Sequence, residues 1–207
     1  MSDDMLELID SYFPTAYKLG DVGEVITANT LRNECKLDII RTIYLPSRGH
    51  LTEIDMIGIS PLGVFVIENK NYKGTIEGTM QDRYWKVRYN QFNFERLYNP
   101  VLQNELHRQV VRGLLESLGY LDVPVYNVVI FNDKGHLKLR DVEKNVFSLS
   151  SFIEVYNSVN KDLVSRDLQS KISSLLRKFS DISEDTKLLH LSLLRRKHEE
   201  DNTLADN

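Results

Sequence analysis

Residues 52–71, TEIDMIGISPLGVFVIENKN, place two short apolar runs on either side of a Pro61-Leu62-Gly63 turn. Both runs are too short for helices, and the second, Val64-Phe65-Val66-Ile67, is rich in β-branched residues. Each reads as a strand, and the two together as a hairpin. Asp55 lies in the first strand; Glu68 and Lys70 lie in the second. Side chains on a strand alternate faces with a period of two. Glu68 and Lys70 therefore share a face, while Asn69 points away with its backbone carbonyl between them. Folded as a hairpin, the segment can bring Asp55, Glu68 and Lys70 to one point, and the rest of the chain must be built around it.

That grouping has chemical consequences. Two carboxylates can hold a divalent cation, and a lysine beside them can orient or activate a water, which is the equipment for metal-assisted phosphodiester hydrolysis. Asp55, Glu68 and the Asn69 carbonyl form an oxygen shell suited to Mg²⁺ or Mn²⁺; the Cys and His ligands favoured by zinc are missing. Simpler readings stand beside this one. Glu68-x-Lys70 alone is equally an ordinary same-face ion pair, worth little energetically. Asp55, flanked by Ile54, Met56 and Ile57, reads as a buried carboxylate in need of a partner.

The Asp-then-Glu-x-Lys signature resembles that of the PD-(D/E)XK nuclease superfamily. More narrowly, several motifs are similar to the nuclease-related domain (NERD) family. They are Gly23-Glu24 opening a helix, Ile54-Asp55, the run from Gly63 to Tyr72 with Gly74, a later Trp85, and Asn99-Pro100-Val101-Leu102-Gln103-Asn104 with His107. The resemblance covers roughly residues 20 to 135. It implies a metal-dependent nuclease, DNA favoured as substrate, with an αβββαβ restriction-endonuclease-like core in which helices flank a mixed central sheet. It also implies that Glu24 points at the metal cleft and adds a ligand, directly or through water. Gln103 is expected to contact substrate or orient the lysine. Without the resemblance, Glu24 reads as a carboxylate favouring the positive end of a helix dipole, and Gln103 as a polar helix-face residue. His107 follows Gln103 by four residues, so the two share a helical face; His107 is a substrate-side candidate or a surface histidine. An alternative function is a nucleic-acid-binding or protein-interaction module that cleaves weakly or only with a partner.

The net charge of −4 argues against a chain coated in positive charge for nonspecific DNA binding. It leaves room for a local basic patch. Lys70, Lys73, Arg83, Lys86, Arg88 and Arg96 are interleaved with tyrosines, phenylalanines and Trp85, a mixture that suits phosphate attraction and base stacking. Lys73, Arg88 and Tyr72 are the nucleic-acid candidates nearest the hairpin, while Trp85 and Phe92 read as core or strand-pair residues. Cys35 is the single cysteine, so intrachain disulfides and cysteine zinc ribbons are excluded and a reducing cytoplasm is the expected compartment. No apolar run approaches the roughly 18 residues of a membrane span, and the acidic start is unlike a secretory signal.

Residues 4–19 are expected to form a short helix and an irregular lead containing Pro14. Periodicity predicts a helix over 21–34 capped by Asp21 and strands at 37–45, 75–78, 84–87 and 125–131, with a further short strand at 146–147. It predicts helices over 100–119, 150–157, 161–179 and 184–198. Residues 1–135 are expected to form the nuclease core and 136–207 a mostly helical extension packed on it. A homodimer and a targeting protein are the expected partners besides nucleic acid, with no membrane contact.

Overall fold

The computed structural model describes residues 15–47, 50–142 and 144–180. The part of the expected 4–19 lead that precedes residue 15, Arg48 and Gly49, and the expected helix over 184–198, whose sequence ends in the basic run Arg195-Arg196-Lys197-His198, lie outside the described residues.

Helix α1 spans Thr15–Glu34, so Asp21 lies inside it and does not cap it. The added segment Thr15–Gly20 contains no proline, and Gly20 is carried inside the helix at a propensity cost of about 1 kcal/mol. Strands β1 (Asp38–Ser47), β2 (His50–Ser60) and β3 (Gly63–Lys70) follow as an antiparallel meander. Gly63 makes the expected hairpin turn at φ 138°, and a Cβ there would lie 2.5 Å from the Pro124 carbonyl oxygen. Only glycine meets both demands. Strand β3 then pairs in parallel with β7 (Val125–Phe131), and β7 with β9 (Val146–Ser148), to give a mixed sheet of order β1-β2-β3-β7-β9.

The unbroken apolar character of β3 has a cause: both of its faces are covered. Phe65 and Ile67 meet Ala28 and Leu31 of α1 and Phe152 of α3 (Leu149–Ser158). Val64 and Val66 meet Val111 and Leu115 of α2 (Pro100–Ser117), together with Ile172 and Leu176 of α4 (Arg166–Arg177). The molecule is thus a mixed α/β fold with a central mixed sheet between helical layers. No helix among the described residues is long and apolar enough to cross a membrane.

A second sheet has the order β6-β5-β4-β8, built from β4 (Thr75–Thr79), β5 (Tyr84–Arg88), β6 (Phe94–Tyr98) and β8 (His136–Arg140). Its inner face, with Ile76, Trp85, Val87 and Leu97, packs on Val101, Val129 and Phe131. Trp85 is buried and donates its indole N–H to the Thr79 carbonyl at 2.8 Å. A Cβ on Gly78 would lie 2.3 Å from Trp85 Cδ1. Gly78→Ala must therefore displace the indole, at a cost of about 1–3 kcal/mol for overpacking. The expected result is a melting temperature lower by roughly 3–10 °C, read by the fluorescence of the single tryptophan.

Strands β6 and β8 were absent from the sequence expectations, as was the shorter extent of two helices. Helix α2 ends at Ser117, and Gly119 follows in the left-handed region at φ 83°. Helix α4 begins only at Arg166, capped by Ser165. The preceding residues are used differently: the Leu163 and Val164 N–H groups both donate to the Pro61 carbonyl, which ties the chain to the β2–β3 turn.

Candidate active site

The β2–β3 ladder runs from Ser60–Gly63 to Met56–Ile67 and ends there. Carried one step further, the same register sets Asp55 opposite Glu68. The alternation that turns Ile57 and Val66 toward α2 also turns Asp55 and Glu68 that way. On the other side of β2, the β1 ladder runs through Arg41–Met56 and Ile43–Ile54 and skips the level between them. Thr42, at that skipped level, has φ 50°, a rare conformation for a β-branched residue. The β2–β3 ladder therefore stops at the level of the two carboxylates, and the β1–β2 ladder is interrupted for one residue pair on the other side of Asp55.

Glu68 is 1% exposed. Its Oε1 accepts a hydrogen bond from Lys70 Nζ at 2.5 Å. Its Oε2 faces His107 Nδ1 at 3.6 Å, too far for a hydrogen bond, and neither atom has a hydrogen-bond partner. Asp55 Oδ2 accepts from the Asn69 N–H at 2.9 Å. The N–H and C=O of one strand residue point to the same side, so the Asn69 carbonyl also faces the gap beside β2. The Asn69 side chain, on the opposite face, accepts from Thr27 of α1 at 2.9 Å.

Burial and the facing Glu68 charge push the Asp55 carboxyl up to about 8. Burial also raises Glu68, against the pull of Lys70. Burial alone would lower Lys70, but Glu68 and Asp55 outweigh it and hold the ammonium protonated. His107 is pushed down to about 4 by burial and then by the Lys70 charge, so it is neutral at neutral pH. Two carboxylates thus confront each other across a gap with one ammonium beside them, an arrangement short of positive charge.

The other sequence candidates are distributed around this centre. Gly23 brings α1 against the end of β3: a Cβ there would lie 3.0 Å from the Asn71 amide. Glu24, the next residue, forms an ion pair with Arg41 at 3.7 Å, and its charge adds to the rise at Glu68. Gln103 is half-buried on α2, one turn before the buried His107. Tyr72 packs its ring on Phe131 and is half-buried. Lys73 is exposed, and Arg88 pairs with Glu77 at 3.3 Å. Among the described residues no three His, Cys, Asp or Glu groups are placed to hold one metal ion; the oxygen donors at the gap are two carboxylates and a main-chain carbonyl.

Three residues near the centre, Glu53, Arg41 and Thr27, carry no expectation from the sequence, and a fourth, Asn104, enters there only as part of the helical motif. Glu53 stands two residues before Asp55 and so shares its face, and its charge raises both Asp55 and Glu68; the period of two was the available signal. Arg41 is a basic residue within an apolar strand, a pattern that asks for a partner. Thr27 gave no signal. Asn104, fully buried, donates to the Val66 and Val128 carbonyls and to Asn127 Oδ1, pinning α2 across β3 and β7 and so fixing His107. Cys35 is buried, and its thiol is pushed up to about 11 by burial and by Glu34; no activated nucleophile is found there.

The model of the nuclease-related domain family matches residues 19–132. An uncharacterised protein of Bacillus anthracis is 31% identical over 164 residues, covering 75% of this chain and 72% of the relative. No solved structure matches the chain with significance. The chain belongs to the nuclease-related domain family, its fold is the restriction-endonuclease-like arrangement, and its function is nuclease-related.

Proposed function

We propose that this protein is a divalent-cation-dependent nuclease that hydrolyses phosphodiester bonds, with DNA the favoured substrate and the Asp55–Glu68–Lys70 cluster as its catalytic centre. The observation that carries the reading is Glu68 Oε2. It is a buried carboxylate oxygen without a hydrogen-bond partner, on a residue opposite Asp55 where the β2–β3 ladder stops. An orphaned buried carboxylate oxygen is costly unless a cation or proton reaches it.

The donor set is hard oxygen, which fits Mg²⁺ or Mn²⁺. Asp55, Glu68 and the Asn69 carbonyl would hold the ion, with Glu24 adding to the negative field or binding through water. When bound, such an ion polarises a phosphoryl oxygen and lowers the pKa of water. Lys70, kept protonated by its two carboxylate neighbours, acts as a donor and not as a base. It orients the attacking water and stabilises charge developing on the phosphate. His107, neutral at this site, would accept a hydrogen bond from that water. Gln103 supports the same wall, and Tyr72, Lys73 and Arg88 take the substrate side.

The test is cleavage of circular and linear DNA, single- and double-stranded, in Mg²⁺, Mn²⁺, Ca²⁺ and EDTA. Cutting in Mg²⁺ or Mn²⁺, with binding but no cutting in Ca²⁺, is expected. A folded protein whose melt shifts with Mn²⁺ but which cuts none of these substrates would overturn the reading in favour of a binding module.

A further inference from the structure

The second sheet has two unlike faces. Its inner face is core. Its outer face carries Tyr84, Lys86 and Arg88 from β5, and Phe94, Arg96 and Tyr98 from β6. They stand in cross-strand register as Tyr84–Tyr98, Lys86–Arg96 and Arg88–Phe94. The three rings are 41%, 50% and 38% exposed for Tyr84, Phe94 and Tyr98, so each keeps surface that a partner can cover. Beyond β4, strand β8 adds Lys138 and Arg140, both exposed. Against these cations the strand residues of this face offer one carboxylate, Glu77, which is already paired with Arg88. A chain of net charge −4 has therefore gathered cations and exposed rings on one side of one sheet.

The side chains are organised, not merely crowded. The Arg96 guanidinium lies over the Tyr84 ring at 4.3 Å and the Lys86 ammonium over Phe94 at 4.4 Å. The Tyr84 and Tyr98 rings meet edge to face at 5.7 Å. Each of these cations covers one face of its ring, and all three rings keep part of their surface open to solvent beside positive charge. The face also borders the cleft. Strand β4 starts at Thr75, just past the Asn71–Gly74 connection that follows Lys70, and Thr75 is in register with Arg88. Tyr89, at the end of β5, lies against Gly74.

We propose that this outer face is a docking surface for single-stranded nucleic acid, which delivers the strand to the Asp55–Glu68–Lys70 cleft. The choice of partner rests on the nuclease reading, and the surface itself rests on charge and ring placement. Cations track the phosphates and rings stack on the bases, a combination that tolerates any sequence because every base has a π-face. A duplex hides its base faces and could use only the cations.

Binding is measured by fluorescence anisotropy in EDTA, which separates it from cleavage. The probes are labelled oligo(dT) and oligo(U) of about 16 nucleotides, the upper end of single-domain site sizes, beside a duplex of the same length. The wild type is expected to prefer the single strands, and the tighter of oligo(dT) and oligo(U) identifies DNA or RNA as the source. Lys86→Ala with Arg96→Ala should weaken binding at least about ten-fold and flatten the salt dependence by about 1.4 in log–log slope, at about 0.7 per phosphate contact on a single strand. Because Lys86 and Arg96 also brace the ribbon, Lys138→Ala with Arg140→Ala on β8 provides a second pair, expected to act in the same direction. Unchanged affinity and slope in both pairs, or tighter binding of the duplex, would overturn the proposal. A protein that binds oligo(dT) through this face yet never cuts refutes the nuclease reading and leaves the docking surface standing; an active nuclease indifferent to both pairs does the reverse.

Discussion

Asp55→Asn and Lys70→Ala are expected to abolish cleavage alike and to move the melting temperature in opposite directions. Loss of a cation ligand or of the protonated donor should lower turnover by at least about 10²–10⁴-fold. Stability divides the two. At neutral pH the folded protein must hold Asp55 either as a like charge facing Glu68 or as a carboxylic acid carrying a proton that solvent would not supply. Asparagine needs neither, and its amide oxygen can still accept from the Asn69 N–H. The metal-free Asp55→Asn protein should gain about 1–3 kcal/mol, a rise of roughly 3–10 °C. Lys70→Ala leaves Glu68 buried without the ammonium at 2.5 Å. Removing one partner of a buried pair costs about 3 kcal/mol or more, so the melt should fall by at least about 6 °C. Calorimetry in EDTA beside a cleavage assay reads both quantities. Near-wild-type turnover in either variant would sink the catalytic assignment, and melts that shift the same way would sink the charge account.

The hairpin and the strand β7 were legible because their signals are local. Pro61-Leu62-Gly63 fixes a turn, and Val125–Phe131 is an apolar run that only a doubly covered strand can bury. Asp55, Glu68 and Lys70 could be placed together because a two-residue period and a short turn leave little freedom of register. Strand β8 could not be read. His136-Leu137-Lys138-Leu139-Arg140 alternates correctly, but its partner is β4, some sixty positions earlier, and no local pattern announces a parallel pair that distant. Strand β6 was hidden by composition: Phe94-Glu95-Arg96-Leu97-Tyr98 buries one residue of five, so its outward side chains dominate the pattern. Apolar spacing overextends helix α4 because Leu163 and Val164 continue its pattern; their N–H groups are committed to Pro61 instead, a tertiary contact that periodicity does not encode. The same limit separated Glu24 from Arg41, which meet only when α1 crosses the sheet.

Without metal, the protein should lose stability as pH rises from about 6.5 to 8, and divalent cations should raise the melt more at pH 8 than at pH 6. Asp55 titrates near 3.8 when unfolded and is pushed up to about 8 in the fold. Between those values the native state binds the extra proton, so unfolding becomes easier as pH rises. Glu68 is shifted in the same direction and adds to the decline. His107 acts oppositely: it is held neutral down to about 4, against 6.5 when unfolded. The unfolded chain therefore binds more protons across that interval, and stability there grows with pH. Below about 6.5 the two contributions oppose each other; above it only the carboxylates act, since Lys70, raised above 10.5, keeps its proton. The decline should reach about 1–2 kcal/mol by pH 8, bounded by 1.36 kcal/mol per unit for one proton. A cation competes with the proton for Asp55, so its stabilising effect must grow over the same interval. Melts in EDTA and in Mn²⁺ across the range measure this directly. Asp55→Asn should flatten the decline above 6.5, and His107→Gln should remove the opposing slope below it. A wild-type melt in EDTA that rises from 6.5 to 8 would show that Asp55 is ionised in the metal-free fold and already paired, and the gap between β2 and β3 would then have no need of a cation.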